Sequence, residues 1–170
     1  MYVQGSGWLR QNRYAAIAQL ADFAHRGYVV ASVEYRHSLE AKAPAQLQDV
    51  KSAIRFMREN SEKYNIDSQR VGIWGDSSGG HLAALVGTSG GVAAFNAGNY
   101  KQQPETVKAV VDFYGPSDFS QMSQYPSKVD HDATDSPESM VVGGSIQDAD
   151  FQDAVQMYNP ITYISQDKPL

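Results

Sequence analysis

The chain has 170 residues, 42% hydrophobic and 19% charged, a composition that suits one globular domain with a packed core. A formal net charge of −5 argues against nucleic acid or an anionic membrane as partner, because both attract basic surfaces. There is no cysteine, which excludes disulfides, thiolate metal sites and a cysteine nucleophile, and no apolar run approaches the roughly 18 residues of a spanning helix.

Tyr2-Val3 is the stub of an apolar run, followed at once by Gln4-Gly5-Ser6-Gly7-Trp8. Tyr14 to Arg26 reads as a helix with Ile17, Leu20, Ala21 and Ala24 on one face, and Gly27 as its C-terminal cap. Tyr28 to Tyr35 (YVVASVEY) reads as a strand. Pro44 to Tyr64 is the clearest helix, with Pro44 at its first position and Leu47, Val50, Ile54 and Met57 at spacings of three and four. Arg70 to Trp74 is a second strand. It runs into Gly75-Asp76-Ser77-Ser78-Gly79-Gly80 and then the apolar helix His81 to Val86. Residues 87–103 are rich in Gly and Asn and predict a surface loop. Val107 to Phe113 is a third strand, closed by the turn Tyr114 to Asp118. Residues 119–135 are polar and irregular. Ser136-Pro137-Glu138 starts a capped helix, and a last helical pattern covers Asp150 to Tyr158. Strands alternating with helices imply a parallel sheet with crossover helices. No repeat or linker divides the chain, so residues 1–170 read as one α/β domain.

Gly75-Asp76-Ser77-Ser78-Gly79 fits G-x-S-x-G. Three fixed residues in five are weak evidence alone, but here a strand precedes the motif and a helix follows it. The serine must occupy a tight strand-to-helix turn with a strained backbone, so that its hydroxyl projects above the sheet. Side chains two residues before and two after would collide with neighbouring backbone, so both positions are glycine. The helix N-terminus then points free N–H groups at the site. Ser77 is the predicted nucleophile. The small residues of Gln4-Gly5-Ser6-Gly7-Trp8 stand where a second loop donates to a developing oxyanion. The predicted oxyanion hole is the backbone N–H groups of Gly5, Ser6 and Ser78.

The chain resembles the α/β-hydrolase superfamily, and within it the hormone-sensitive-lipase and bacterial feruloyl-esterase-like carboxylesterase branch. Gln4 to Trp8, Glu34-Tyr35-Arg36, Asp49 to Phe56, Gly75 to Ala83 and Tyr114 to Asp118 carry the resemblance, in the family's order. Gln4 stands where the family usually has histidine, and Ser6 where it usually has glycine. The resemblance implies a mostly parallel sheet with helices on both faces and an ester hydrolase with Ser77 as nucleophile, working without cofactor or metal. It also implies a triad order of Ser, Asp or Glu, then His. The acid and base are expected beyond residue 170, after a strand that would begin near Lys168-Pro169-Leu170. With the Tyr2-Val3 stub, this makes the fold incomplete at both ends, a fragment of a longer product.

Of the four histidines, His25 and His37 precede the serine. His81 is read as structural, and His131, in Asp130-His131-Asp132, as part of a solvated loop or lid. The same acidic loop (Asp130, Asp132, Asp135, Glu138) offers oxygen ligands of the kind calcium takes, but its spacing does not match a twelve-residue calcium loop, and a charged surface loop is the expectation. Arg36 and Asp49 are expected to pair beneath the oxyanion loop, and Asp118 to cap a turn. Trp8, Trp74 and Tyr114 are expected in the core or pocket wall. The expected substrate is a small-molecule or polysaccharide-linked ester of short-chain, acetyl or feruloyl type. The alternatives are a catalytically incomplete domain, or a peptidase or arylformamidase built on the same machinery. Compartment and oligomeric state have no signal in the sequence.

Overall fold

The computed structural model describes residues 1–164, so the strand expected near Lys168 lies outside the described residues. Four strands pair in parallel in the order β2-β1-β3-β4: β1 Tyr2–Val3, β2 Ser32–Val33, β3 Gly72–Asp76 and β4 Ala109–Phe113. β1 is thus central, with Tyr2 opposite Ser32 on one side and Trp74 on the other. The predicted strand 28–35 is cut to two residues, and Tyr28 and Val29 are exposed. Its neighbour β1 offers only two ladder positions and reaches back no further than the Ala31 carbonyl, which accepts from Tyr2 N at 2.8 Å, so propensity in residues 28–30 has no partner to satisfy.

Side chains alternate across a strand, so Ile73 and its partner Val110 point to one face and Trp74 and Val111 to the other. The first face is covered by α4 (Ser78–Thr88), where Gly87 sits directly on Val110. Helix α2 (Ala45–Glu59) packs against α4 through Leu47, Val50 and Ile54, all fully buried. The predicted helix 44–64 breaks at Asn60, whose side chain donates to the Phe56 carbonyl at 2.9 Å, and resumes as α3 (Ser61–Tyr64). Over the opposite face lies α1 (Ile17–His25), with Gly27 (φ +90°) in the left-handed conformation just past its end. Only Leu20 of the predicted apolar face is buried; Ile17 is exposed, and Phe23 makes the sheet contact, its ring 5.1 Å from Trp74. This face keeps an apolar cavity of about 370 Å³, and Val111 and Phe113 of β4 stay half exposed.

The segment 89–105 is not a free surface loop. Phe95 is fully buried, and two fully buried cations of α2 hold the segment. Lys51 reaches the Ser89 carbonyl at 3.0 Å and Glu105 at 3.1 Å; Arg55 reaches the Asn99 carbonyl at 3.0 Å and Glu105 at 3.4 Å. Buried charges must be paired or hydrogen-bonded, and the loop carbonyls meet that need. The remaining α-helices among the described residues are α5 (Pro137–Val142), capped by Ser136 Oγ accepting from Ser139 N at 3.1 Å, and α6 (Gln152–Tyr158). A 3-10 turn over Phe119–Gln124 buries Phe119 completely. Among the described residues no helix is long and apolar enough to cross a membrane.

Candidate active site

β3 leaves the sheet at Asp76 and α4 begins at Ser78, so the whole change of direction falls on Ser77. Its backbone has φ 51° and ψ −125°, a strained conformation for a residue with a side chain, of order 1–3 kcal/mol. The turn holds because its surroundings leave no alternative. Ser77 N donates to the Phe113 carbonyl at 2.9 Å, and His81 N to the Ser77 carbonyl at 2.9 Å. A Cβ on Gly75 would lie 2.3 Å from Gly79 O and 2.7 Å from Val3 O; one on Gly79 would lie 2.1 Å from Val3 O. Both flanking glycines therefore let β1 and the first turn of α4 close on the elbow. No side chain caps α4. Its first N–H groups lack partners in their own helix and stand at the positive end of its dipole.

The turn Gln4 to Trp8 rests on this elbow. A Cβ on Gly5 would lie 2.4 Å from Asp76 O and 2.9 Å from Ser77 Cβ, so Gly5 backbone is in direct contact with the elbow. The two variable positions of G-x-S-x-G clamp the turn. Asp76 accepts from Gly5 N at 3.2 Å and from Tyr2 Oη at 2.8 Å; Ser78 Oγ accepts from Ser6 N at 2.9 Å. Burial, and then the Asp76 carboxylate, pushes the Tyr2 phenol up to about 12. Behind the turn, Tyr35 Oη lies 3.2 Å from both Ser6 Oγ and the Gln4 carbonyl and 3.4 Å from Ser78 Oγ. Its burial raises its own pKa, although hydrogen bonds to Ser6 and Ser78 act the other way. Gly5 and Ser6 thus stand beside Ser77 and Ser78, but in this state both N–H groups are given to elbow side chains. The roles of Asp76, Ser78 Oγ and Tyr35 were not read from sequence, where the motif marks the first two only as variable positions.

Trp8 (φ 54°) turns inward and is buried. Its indole Nε1–H donates to His81 Nδ1 at 3.3 Å, and His81 Nε2 bonds the Tyr158 carbonyl at 2.7 Å. A carbonyl only accepts, so Nε2 carries the proton and Nδ1 is an acceptor. Full burial lowers the pKa of His81 to about 4, against the opposing pull of the Tyr158 carbonyl. With both nitrogens engaged, His81 is the neutral centre of an aromatic cluster with Trp8, Phe119 and Tyr158, on which the turn is built.

His131 bonds Ser127 Oγ at 3.1 Å through Nε2 and Glu138 at 3.1 Å through Nδ1. Its carboxylate partner is the buried Glu138, seven residues on, and not its neighbours Asp130 or Asp132. The acidic residues of this loop do not converge: among the described residues no group of three or more could hold a metal ion. Glu138 serves His131, and Asp132 takes the Gln147 amide at 2.7 Å. The segment covers the Gln4 to Trp8 turn from one side, where Pro137 Cβ would meet a Cβ on Gly7 at 3.4 Å. Arg36 grips Asp49 with bonds of 2.9 Å from both Nε and Nη2. Asp118 accepts from Ser120 N at 3.0 Å and Asn159 Nδ2 at 2.9 Å; burial raises its pKa, but these bonds and those from the Ser120 hydroxyl and Gln121 outweigh it and lower the net value. Trp74 is half-buried in contact with Tyr2 and Phe23, whereas Tyr114 (φ 49°) is 80% exposed and belongs to no wall.

A strained serine between a parallel strand and a buried helix, under a small-residue turn from the adjacent strand, defines the α/β-hydrolase class. The family model described as BD-FAE matches residues 1–170, and the chain belongs to that family of α/β-hydrolase esterases. It is 32% identical over 127 residues to Esterase LipC of Mycobacterium tuberculosis, an alignment covering 72% of this chain and 31% of that one. It is 39% identical to arylacetamide deacetylase of Oryctolagus cuniculus over 92 residues, 50% of this chain and 23% of that one. Two of the solved structures that superpose over 99% of it are also similar in sequence. One is a bifunctional GH43-CE protein of Bacteroides eggerthii (TM-score 0.87, 38% identity, 23% of that chain). The other is a truncated carbohydrate esterase from gut microbiota (TM-score 0.86, 36% identity, 62% of that chain). The chain thus spans under a third of the length of the curated relatives it matches.

Proposed function

We propose that the chain supplies the nucleophile half of a serine carboxylic-ester hydrolase that acts on sugar-linked acetyl or hydroxycinnamoyl esters. The strained elbow at Ser77 carries this reading: a serine at φ 51° and ψ −125°, between a strand end and a buried helix, with glycines two residues to either side that contact requires. Ser77 Oγ attacks the ester carbonyl carbon and its proton passes to a histidine base. The negative oxygen that forms is met by the Ser78 N–H at the α4 N-terminus and by the N–H groups of Gly5 and Ser6. For Ser6 to donate, its N–H turns from Ser78 Oγ toward the substrate oxygen. The alcohol leaves with the proton, and water releases the acyl group by the same steps in reverse. The substrate class is supported by the carbohydrate esterases that this chain resembles along nearly its full length.

His81 is held between Trp8 and Tyr158, and His131 is bound to Ser127 and Glu138, so we assign neither as the base. This observation favours a second reading, in which the isolated 170 residues fold without turning over. Hydrolysis of p-nitrophenyl acetate by the chain and by Ser77→Ala, with a fluorophosphonate probe read by mass spectrometry, separates the two. Labelling at Ser77 supports the nucleophile assignment. Turnover lost in Ser77→Ala places a base within these residues. A folded chain with neither labelling nor turnover leaves the second reading standing.

A further inference from the structure

A cleft of about 480 Å³ opens at the carboxyl ends of β1 and β2, and no aliphatic side chain lines it. Its walls come from the segment after the oxyanion turn (Arg10, Gln11, Arg13), from the segment after β2 (Glu34 to His37, and Glu40) and from Asp49. Ligands in open α/β sheets bind outside the carboxyl ends of the strands, and this is that edge. β2 is two strand spacings from β3, so the cleft lies about 10 Å across the sheet from the elbow. Tyr35 joins the two places: it lines the cleft while its hydroxyl meets Ser6 and Ser78 at the turn.

Most of the cleft's polar groups are already paired. Arg13 bonds Glu34 at 2.6 Å and Arg36 is held by Asp49. Gln11 is spent on the Tyr35 N–H, at 2.9 Å, and on the Leu9 carbonyl. Three side chains keep unused capacity. Arg10 and Glu40 make no side-chain hydrogen bond or ion pair among the described residues, and neither does the His37 ring, which lines the cleft although its Nδ1 is closed off from it. The charge of Glu40 acts on Arg36. A guanidinium that only donates, a carboxylate that only accepts and an imidazole that does either are together complementary to sugar hydroxyls, which both donate and accept. An aliphatic alcohol would find no apolar wall here. Three arginines (Arg10, Arg13, Arg36) face three carboxylates (Glu34, Glu40, Asp49), so the cleft has no net charge to favour an ionic ligand.

We propose that this cleft is a carbohydrate subsite that takes a neutral sugar unit on the alcohol side of the ester, with Arg10, His37 and Glu40 as its hydrogen-bonding groups. The assignment of that sugar to the ester's alcohol rests on the esterase reading above; the binding itself does not.

The test is an NMR titration of the ¹⁵N-labelled Ser77→Ala chain with neutral xylo-, cello- and manno-oligosaccharides, and with a xylo-oligosaccharide bearing glucuronate. Saturable shifts confined to amides of residues 10–13 and 34–40 are expected for at least one neutral series. Arg10→Ala and Glu40→Gln should each weaken that binding about tenfold, the worth of one hydrogen bond to a charged group. Both positions are exposed, so both variants keep the wild-type dispersed spectrum. No saturable shift with any series, or binding unchanged in the variants, overturns the subsite. Preference for the glucuronate ligand overturns its neutral-sugar assignment. Sugar binding without Ser77 labelling would keep the subsite and leave the catalytically incomplete reading of these residues standing. Labelling without sugar binding would overturn the subsite and keep the nucleophile assignment.

Discussion

Gly75→Ala and Gly72→Ala add the same methyl group to the same strand three residues apart, and the structure predicts opposite outcomes. At Gly72 the new Cβ would meet Ala109 O at 3.5 Å and Ala109 Cβ at 3.7 Å, which is ordinary contact. Removing a strand glycine there should leave stability within about 0.5 kcal/mol, or raise it slightly by reducing the freedom of the unfolded chain. At Gly75 the Cβ would meet Gly79 O at 2.3 Å, Gly79 C at 2.4 Å and Val3 O at 2.7 Å. These are backbone atoms of α4 and of the central strand, so no rotamer change relieves them. The first contact must open past about 3.4 Å, which moves α4 away from β1 and the elbow with it. Overpacking of this kind costs 1–3 kcal/mol where side chains can yield, and backbone on two sides puts this case at about 3 kcal/mol or more. With a slope near 2 kcal/mol/M, the urea midpoint should fall by about 1.5 M, against a shift of about 0.25 M or less for Gly72→Ala. Equilibrium urea unfolding followed by circular dichroism measures both. Equal midpoints for the two variants would refute the claim that the elbow glycines are demanded by contact with β1.

Glu105→Ala leaves Lys51 and Arg55 buried without their carboxylate and should cost about 3–5 kcal/mol in the same assay, whereas a surface carboxylate such as Glu62 should cost almost nothing. Ser78→Ala removes the acceptor of the Ser6 N–H and should lower stability by about 1–2 kcal/mol, with faster amide hydrogen exchange at Ser6. The His81 pKa is lowered on folding from 6.5 to about 4. The neutral ring is therefore favoured in the folded state, and its stabilising contribution is complete above pH 6.5 and lost as pH falls toward 4. Unfolding free energies of the wild type and His81→Gln should thus converge by about 3 kcal/mol between pH 7 and pH 4; a constant difference would show that the ring does not titrate with folding.

Much of the site was legible because it depends on local chemistry. A strand, a glycine-flanked serine and an apolar helix in immediate succession leave the backbone one way to turn, and Ser77 takes it. The capped start at Ser136, the Leu47–Val50–Ile54 face of α2 and the Arg36–Asp49 pair were legible for the same reason, or through resemblance. The tertiary structure decided what local pattern cannot carry. Residues 28–30 have strand propensity, yet β2 is only as long as the ladder that β1 provides. The Gly and Asn residues after α4 read as a solvated loop, yet two buried cations needed their carbonyls. Gly5 and Ser6 were placed at the elbow by their position in the chain, but where their N–H groups point depends on Asp76 and Ser78, 71 and 72 residues away. His81 looked like any helical histidine until Trp8 and Tyr158 closed on its two nitrogens from 73 and 77 residues away. Sequence alone determined which residues turn sharply and which face is apolar, because those are properties of neighbours in the chain. Partnership of polar groups, and with it protonation and donor direction, was decided only when distant segments met, because a buried polar group must take whatever partner the packing brings to it.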